Sequence, residues 1–250
     1  MSLGAHLIEL RKRLFLAALA IVLGSIAGFV VSDVVLAAMI RPISELAAEQ
    51  DRNASLNFTD VSSAFDLRIQ IAFTVGVVIS SPVWLYQLWA FVMPGLKKNE
   101  KRYAIGFVAA AVPLFLAGCA AGWFVLPHMV TLLTGFAPEG TTALLTARSY
   151  FDFVLKLVLA IGIAFVLPVF LVLLNFAGVL TAKAILKSWR IAILAVTLFT
   201  AIATPAADVM SMFLLAIPMI GLYFAAAGIA WLHDRRAARI AARIDLELAV

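Results

Sequence analysis

The apolar residues of this chain gather into six runs, 14–31, 69–93, 103–127, 150–175, 191–203 and 209–232, and the charges fall almost wholly in the gaps. An apolar run of about 18 residues or more crosses a bilayer as a helix, the form that satisfies every backbone group without water. Five runs reach that length. The fifth in order holds 13 residues, about 20 Å of helix against a hydrocarbon core of about 30 Å. Such a helix must thin the bilayer, borrow flanking residues such as Trp189, sit behind other helices, or begin earlier, near Ile185. With 64% hydrophobic and only 13% charged residues the chain is no soluble domain. The pattern predicts an all-α, polytopic membrane protein with six transmembrane helices. Its fifth span is short, its sixth is interrupted by Pro218, and residues 1–250 form a single domain.

Orientation follows from where the cations lie. Arg11, Lys12 and Arg13 precede the first span, and Lys97, Lys98, Lys101 and Arg102 separate the second from the third. Lys183, Lys187 and Arg190 separate the fourth from the fifth, and Arg235, Arg236, Arg239 and Arg243 follow the sixth. Fourteen of the 19 basic residues thus share one side. Arg41, Arg52, Arg68 and Arg148 take the other, and Lys156 lies within a span. The Lys/Arg-rich side is the cytoplasmic one, so both termini are expected there. The net charge of +5 expresses this topology and not an affinity for nucleic acid. No small-residue cleavage pattern follows the first run, which reads as a retained span.

The gaps differ in character. The acidic outer connection, residues 32–68, suggests a short amphipathic helix after Pro42, built on Ile43, Leu46 and Ala47. The second outer connection, 128–149, contains Pro138, Glu139 and Gly140 and reads as a turn between short helices. After His233, arginines at four-residue spacing beside Ile240 and Ile244 suit either an interfacial helix on anionic headgroups or a solvated tail.

Catalytic signatures are missing. There is no phosphate-binding loop, zinc helix or nucleophile elbow, and His6, His128 and His233 fall on alternate sides. Neither an enzyme nor a cofactor is expected. Asp152 and Lys156, at i and i+4 with the acid first, read as an intrahelical pair stabilising the outer start of the fourth span rather than as a proton path.

Three segments give the chain a family likeness. They are His6-Leu7-Ile8-Glu9-Leu10-Arg11-Lys12-Arg13-Leu14, then the stretch from Ser81-Pro82 through Trp84, Gln87 and Phe91 to Pro94-Gly95-Leu96-Lys97-Lys98-Asn99-Glu100-Lys101-Arg102. The third runs from Thr204-Pro205 through Asp208 to Leu214-Leu215-Ala216-Ile217-Pro218-Met219. Together they resemble the TatC family, the multispanning receptor of the twin-arginine protein translocase, over nearly the whole chain. The outer segment 43–68 matches loosely, and Pro42 alone carries over near it as an outer structural position.

That resemblance implies binding of signal peptides with consecutive arginines. It also implies assembly with single-span TatA-type and TatB-type partners in a higher-order complex of the bacterial cytoplasmic membrane, and export of folded proteins by the proton-motive force. Guanidinium groups pair bidentately with carboxylates, and Glu9 and Glu100 match the family's signal-peptide glutamates. Arg13, Lys101 and Arg102 lie beside them. By itself Glu9 could simply pair with Arg13 one turn on. Gln87 and Phe91, one turn apart on the second span with Trp84, match a face that borders the signal-peptide groove. A helix-joining amide and an interfacial aromatic belt are the structural alternatives. The similarity places partner contact at Thr204, Pro205 and Asp208.

One departure concerns Val166. Family members usually carry a polar residue there, within the fourth span. Docking of a partner helix at Val166 is then expected to rest on packing or on a polar group elsewhere, such as Asn175, and Val166→Glu to be tolerated. The competing function is a secondary transporter or channel for a small solute. Such proteins place ionisable groups or broken helices at the midplane; this chain keeps its acids at the interfaces.

Overall fold

The computed structural model describes residues 3–49, 56–57, 63–92, 101–135, 145–203 and 209–248. Eight helices are found among them: α1 (Leu3–Glu49), α2 (Ser63–Ile79), α3 (Ser81–Val92), α4 (Lys101–Gly135), α5 (Ala147–Phe176), α6 (Ala182–Lys187), α7 (Trp189–Ala203) and α8 (Val209–Leu248). Two-residue strands, β1 (Leu56–Asn57) and β2 (Leu145–Thr146), pair in parallel, Leu56 opposite Leu145. Helices α1, α4, α5 and α8 are each long and apolar enough to cross a membrane. Helices α2 and α3 make one bent span, and α7 is the short one. The fold is all-helical and polytopic, as the hydropathy pattern implies. The helices group into two compact units, Met1–Ile163 and Ala164–Val250.

In the first unit α1 packs along α2, α3 and α4. The approach of α1 to α2 is close because small residues face each other. A Cβ added to Gly24 would sit 2.7 Å from the Gly76 carbonyl oxygen, and one added to Gly76 would sit 2.6 Å from the Ser25 backbone nitrogen. Hydrocarbon gives helices no hydrophobic reason to associate, so close backbone contact of this kind supplies the attraction. The apolar core lies toward the far end of α1, where Met39, Leu67, Ile71, Leu126, Phe151 and Val154 are buried together.

Helix α1 runs on through Pro42 to Glu49, so no separate amphipathic helix begins there. A proline inside a helix removes one intrahelical hydrogen bond, here the one to the carbonyl four residues back, that of Ala38. The buried Tyr150 hydroxyl of α5 donates to the next carbonyl, that of Met39, at 3.0 Å and ties α5 to this part of α1.

The second span breaks at Ser80, with a 62° bend between α2 and α3. Pro82 has no N–H for the carbonyl four residues back, and its ring clashes with that carbonyl. The broken turn is closed by other donors. The Ser80 N–H bonds the Gly76 oxygen at 2.9 Å, and Trp84 Nε1–H bonds the Val77 oxygen at 2.9 Å.

In the second unit α5 ends in a Schellman turn. Gly178 adopts φ +74°, and the Val179 N–H reaches the Leu174 oxygen while the Gly178 N–H reaches that of Asn175, both at 2.9 Å. A left-handed residue at this position is commonly glycine, which meets no Cβ penalty. Asp234 of α8 then holds the start of α6: its Oδ2 accepts the Ala182 N–H at 2.7 Å and its Oδ1 accepts Asn175 Nδ2–H at 2.9 Å. Thr181 is the N-cap of α6. Helix α6 stops at Ser188, whose N–H donates back to Ala184 and Ile185, so α7 begins at Trp189 and not near Ile185. Its 15 residues give about 22 Å of helix. Pro218 falls inside α8, which continues on both sides of it.

Candidate functional site

The bend at Ser80 turns α3 so that one of its faces lies against the first turns of α1. Leu10, Leu14, Ala17 and Ile21 recur along α1 at three- and four-residue spacing, a single helical stripe. Trp84, Leu88 and Phe91 do the same on α3. Together with Arg13 and Gln87 they line a shallow groove of about 250 Å³. Trp84 packs edge-on against Phe115 of α4, ring centroids 5.3 Å apart. Phe91 stacks on the His6 ring at 4.7 Å.

A charged cluster closes one end of this apolar trough. Arg13 donates to Glu9 from Nη2 at 2.6 Å and from Nε at 3.0 Å, and Nη1 lies 3.5 Å from Gln87 Oε1. Both bonds from the guanidinium land on Glu9 Oε1, and Oε2 has no partner among the described residues. The two side chains are about a quarter exposed, 25% and 24%. Their charges are therefore screened less than those of a fully solvated pair. The structure brings Glu9, Arg13, Gln87 and Phe91 into one place. The glutamate pairs with Arg13 through Oε1, which leaves Oε2 without a partner among the described residues.

Other expected residues fall elsewhere. Glu100, Thr204, Pro205 and Asp208 lie outside the described residues, as does the turn at 138–140. Lys101 and Arg102 open α4, and Pro42 lies within α1. Asp152 and Lys156 form the expected pair at 2.5 Å, and Gln70 Nε2–H of α2 also donates to Asp152 at 2.6 Å. Asn175 is buried, its amide nitrogen spent on Asp234 and on the Leu180 oxygen. Its buried Oδ1 has no hydrogen-bond partner among the described residues.

Val166 is buried too, at 3% exposure, while Ile163 and Leu167 are exposed. The outward face of α5 thus passes through 163 and 167 and misses 166. A glutamate at 166 would have to enter a packed interior without a ready partner, where an unpaired carboxylate is costly. Val166→Glu should therefore lower the amount of folded protein recovered in detergent several-fold, and Leu167→Glu should not. Equal recovery of the two variants would count against this placement.

The sequence did not single out the stripe Leu10, Leu14, Ala17 and Ile21. Its helical spacing was readable, but every face of an apolar span looks alike until a neighbouring helix selects one.

Similarity to known proteins agrees with this architecture. The family model described as Sec-independent protein translocase protein (TatC) matches residues 5–218. The TatC protein of Xylanimonas cellulosilytica is 46% identical over 239 residues, covering 96% of this chain and 87% of that one. TatCy of Bacillus subtilis is 33% identical, covering 89% and 86%. A crystal structure of a twin arginine translocase receptor, TatC, in DDM superposes with a TM-score of 0.78 at 34% identity, covering 90% of this chain and 99% of that one. On fold, order of spans and sequence, the chain is a multi-pass membrane protein that belongs to the TatC family of Sec-independent protein translocase components.

Proposed function

We propose that this chain is the signal-peptide receptor of a twin-arginine export system, with both termini in the cytoplasm. The observation that carries the reading is the pairing of an apolar groove between α1 and α3 with a carboxylate at its end. One guanidinium of a twin-arginine motif binds the open oxygen of Glu9, and Glu100 receives the other. The hydrophobic stretch of the signal lies along the stripe of α1 and the aromatic face of α3. Gln87 and Arg13 fix the angle of the Glu9 carboxylate, and Lys101 and Arg102 lie next to Glu100 in the sequence. Guanidinium is planar, always charged and less strongly hydrated than an ammonium, which favours arginine over lysine beside these carboxylates.

Single-span TatA-type and TatB-type helices are the proposed partners, with contact at the outer end of α7 around Thr204, Pro205 and Asp208. Support comes from the exposed apolar stripe Ile191, Leu194, Leu198 and Ile202, which leads along α7 to that end. Folded cargo then moves at the expense of the proton-motive force. No side chain of this chain is assigned a catalytic step.

A photoreactive residue placed at Leu88, which lines the groove and is exposed, should crosslink to a radiolabelled precursor with two consecutive signal arginines. The same precursor with two lysines should give no adduct. Equal adducts with both would remove the groove from recognition.

A further inference from the structure

A second groove lies wholly within the second unit, where α5, α6, α7 and α8 meet, with a volume of about 460 Å³. Leu167, Leu171, Ile185, Ala192, Val196 and Tyr223 are among its lining residues. The two polar groups on its wall are already used inside the chain. The Tyr223 hydroxyl donates to the Ile185 oxygen at 2.5 Å and the Ser188 hydroxyl to that of Ala184 at 3.0 Å. The trough therefore offers mainly hydrocarbon contact, with both hydroxyl donors already used.

The residues beside the wall have a different chemistry. Ala184, Ile185 and Ser188 of the wall alternate along the chain with Lys183 and Lys187, and Arg190 follows within one turn. All three cations are exposed, and none has an ion pair among the described residues. Asp234, the acidic group nearest α6, has its oxygens committed to the Ala182 N–H and the Asn175 amide. Trp189, exposed beside them, is a residue type enriched at the membrane–water interface.

We propose that this groove is a binding site for one anionic phospholipid. An acyl chain lies in the trough, and the phosphate is held by Lys183 and Lys187 with Arg190 in reserve. The occupant is a lipid because an apolar trough beside exposed cations presents the two chemistries that one anionic phospholipid answers, with an acyl chain and a phosphate. This site is separate from the groove between α1 and α3 and does not depend on the receptor reading.

The test uses the purified full-length chain in detergent and native mass spectrometry with phosphatidylglycerol or phosphatidylcholine of identical chains. Phosphatidylglycerol should be retained preferentially. Each basic residue near an anionic headgroup is worth about five-fold, so Lys183→Gln with Lys187→Gln should lower that preference about 30-fold. Ala195→Trp, which fills the trough, should reduce retention of both lipids, and inorganic phosphate should not compete. A photoreactive residue at Ala195 in native membranes should capture lipid. Equal retention of the two lipids, an unchanged preference in the double lysine variant, or capture of a single-span protein in place of lipid would each overturn the proposal.

Discussion

Gly76→Leu should leave no foldable first unit, and Gly76→Ala should cost about 3 kcal/mol, the upper end for an inserted methyl in a packed interior. The cause is the crossing of α1 and α2, where an added Cβ would meet the Ser25 backbone nitrogen at 2.6 Å. Backbone cannot rotate away as a side-chain tip can, so the helices must part along their whole contact. The chain contains one cysteine, and Cys119 is buried. Labelling of its thiol by a reactive dye during heating therefore reports opening of the core. Gly76→Ala should lower the labelling midpoint by about 10 °C. Gly106→Ala is the control, because a Cβ there meets nothing within 4 Å. Coincident midpoints for the two alanine variants would show that the crossing yields without strain. The crossing also sets where α1 meets α3, so loss of the groove should accompany loss of stability.

Glu9→Ala should lower affinity for a twin-arginine signal peptide by ten-fold or more, since a hydrogen bond to a charged group contributes about 1.5–3 kcal/mol. The pairing seen here adds a second penalty. Without the carboxylate, Arg13 stands beside Gln87 with no counter-ion and repels the incoming guanidinium. Arg13→Gln in the Glu9→Ala background should accordingly recover part of the loss. Glu100→Ala should act in parallel, and removing both carboxylates should cost about a hundred-fold or more if their contributions add. Binding is measured with purified full-length chain and a labelled signal peptide. Undiminished affinity combined with lower abundance would assign Glu9 to helix pairing alone.

The span count, the short fifth span and the clustering of cations were all legible in the sequence, because hydropathy and charge are local properties. Directions were not. Residues 69–93 read as one apolar run, and nothing in hydropathy distinguishes a straight span from α2 and α3 meeting at 62°. Ser80-Ser81-Pro82 was the available sign, since a proline after two serines is a usual place for a helix to restart. Pro42 misled in the opposite sense. It reads as a boundary, yet α1 passes through it to Glu49, and Tyr150, more than a hundred residues away, ties to that stretch at the Met39 carbonyl.

The site was legible to the same degree. The pairing of Glu9 with Arg13 follows from their spacing, and their meeting with Gln87 does not, because it depends on the bend. Asp234 was invisible as a structural residue. In sequence it is one acid among arginines; in the fold it accepts the first N–H of a helix that begins 52 residues earlier. Val166 shows the limit of family patterns: a position can be aligned without revealing which side of its helix faces out.

The length of α7 has a consequence for how copies of the chain meet. Where no flanking residue such as Trp189 extends it and no other helix screens it, a helix of about 22 Å in a core of about 30 Å compresses the adjacent lipid. Each molecule is then surrounded on that side by a rim of distorted bilayer whose energy grows with its perimeter. Two copies that bring these rims together share one boundary in place of two. They attract without any complementary side chains, through the elasticity of the membrane alone. That attraction grows in bilayers of longer acyl chains and fades in thin ones.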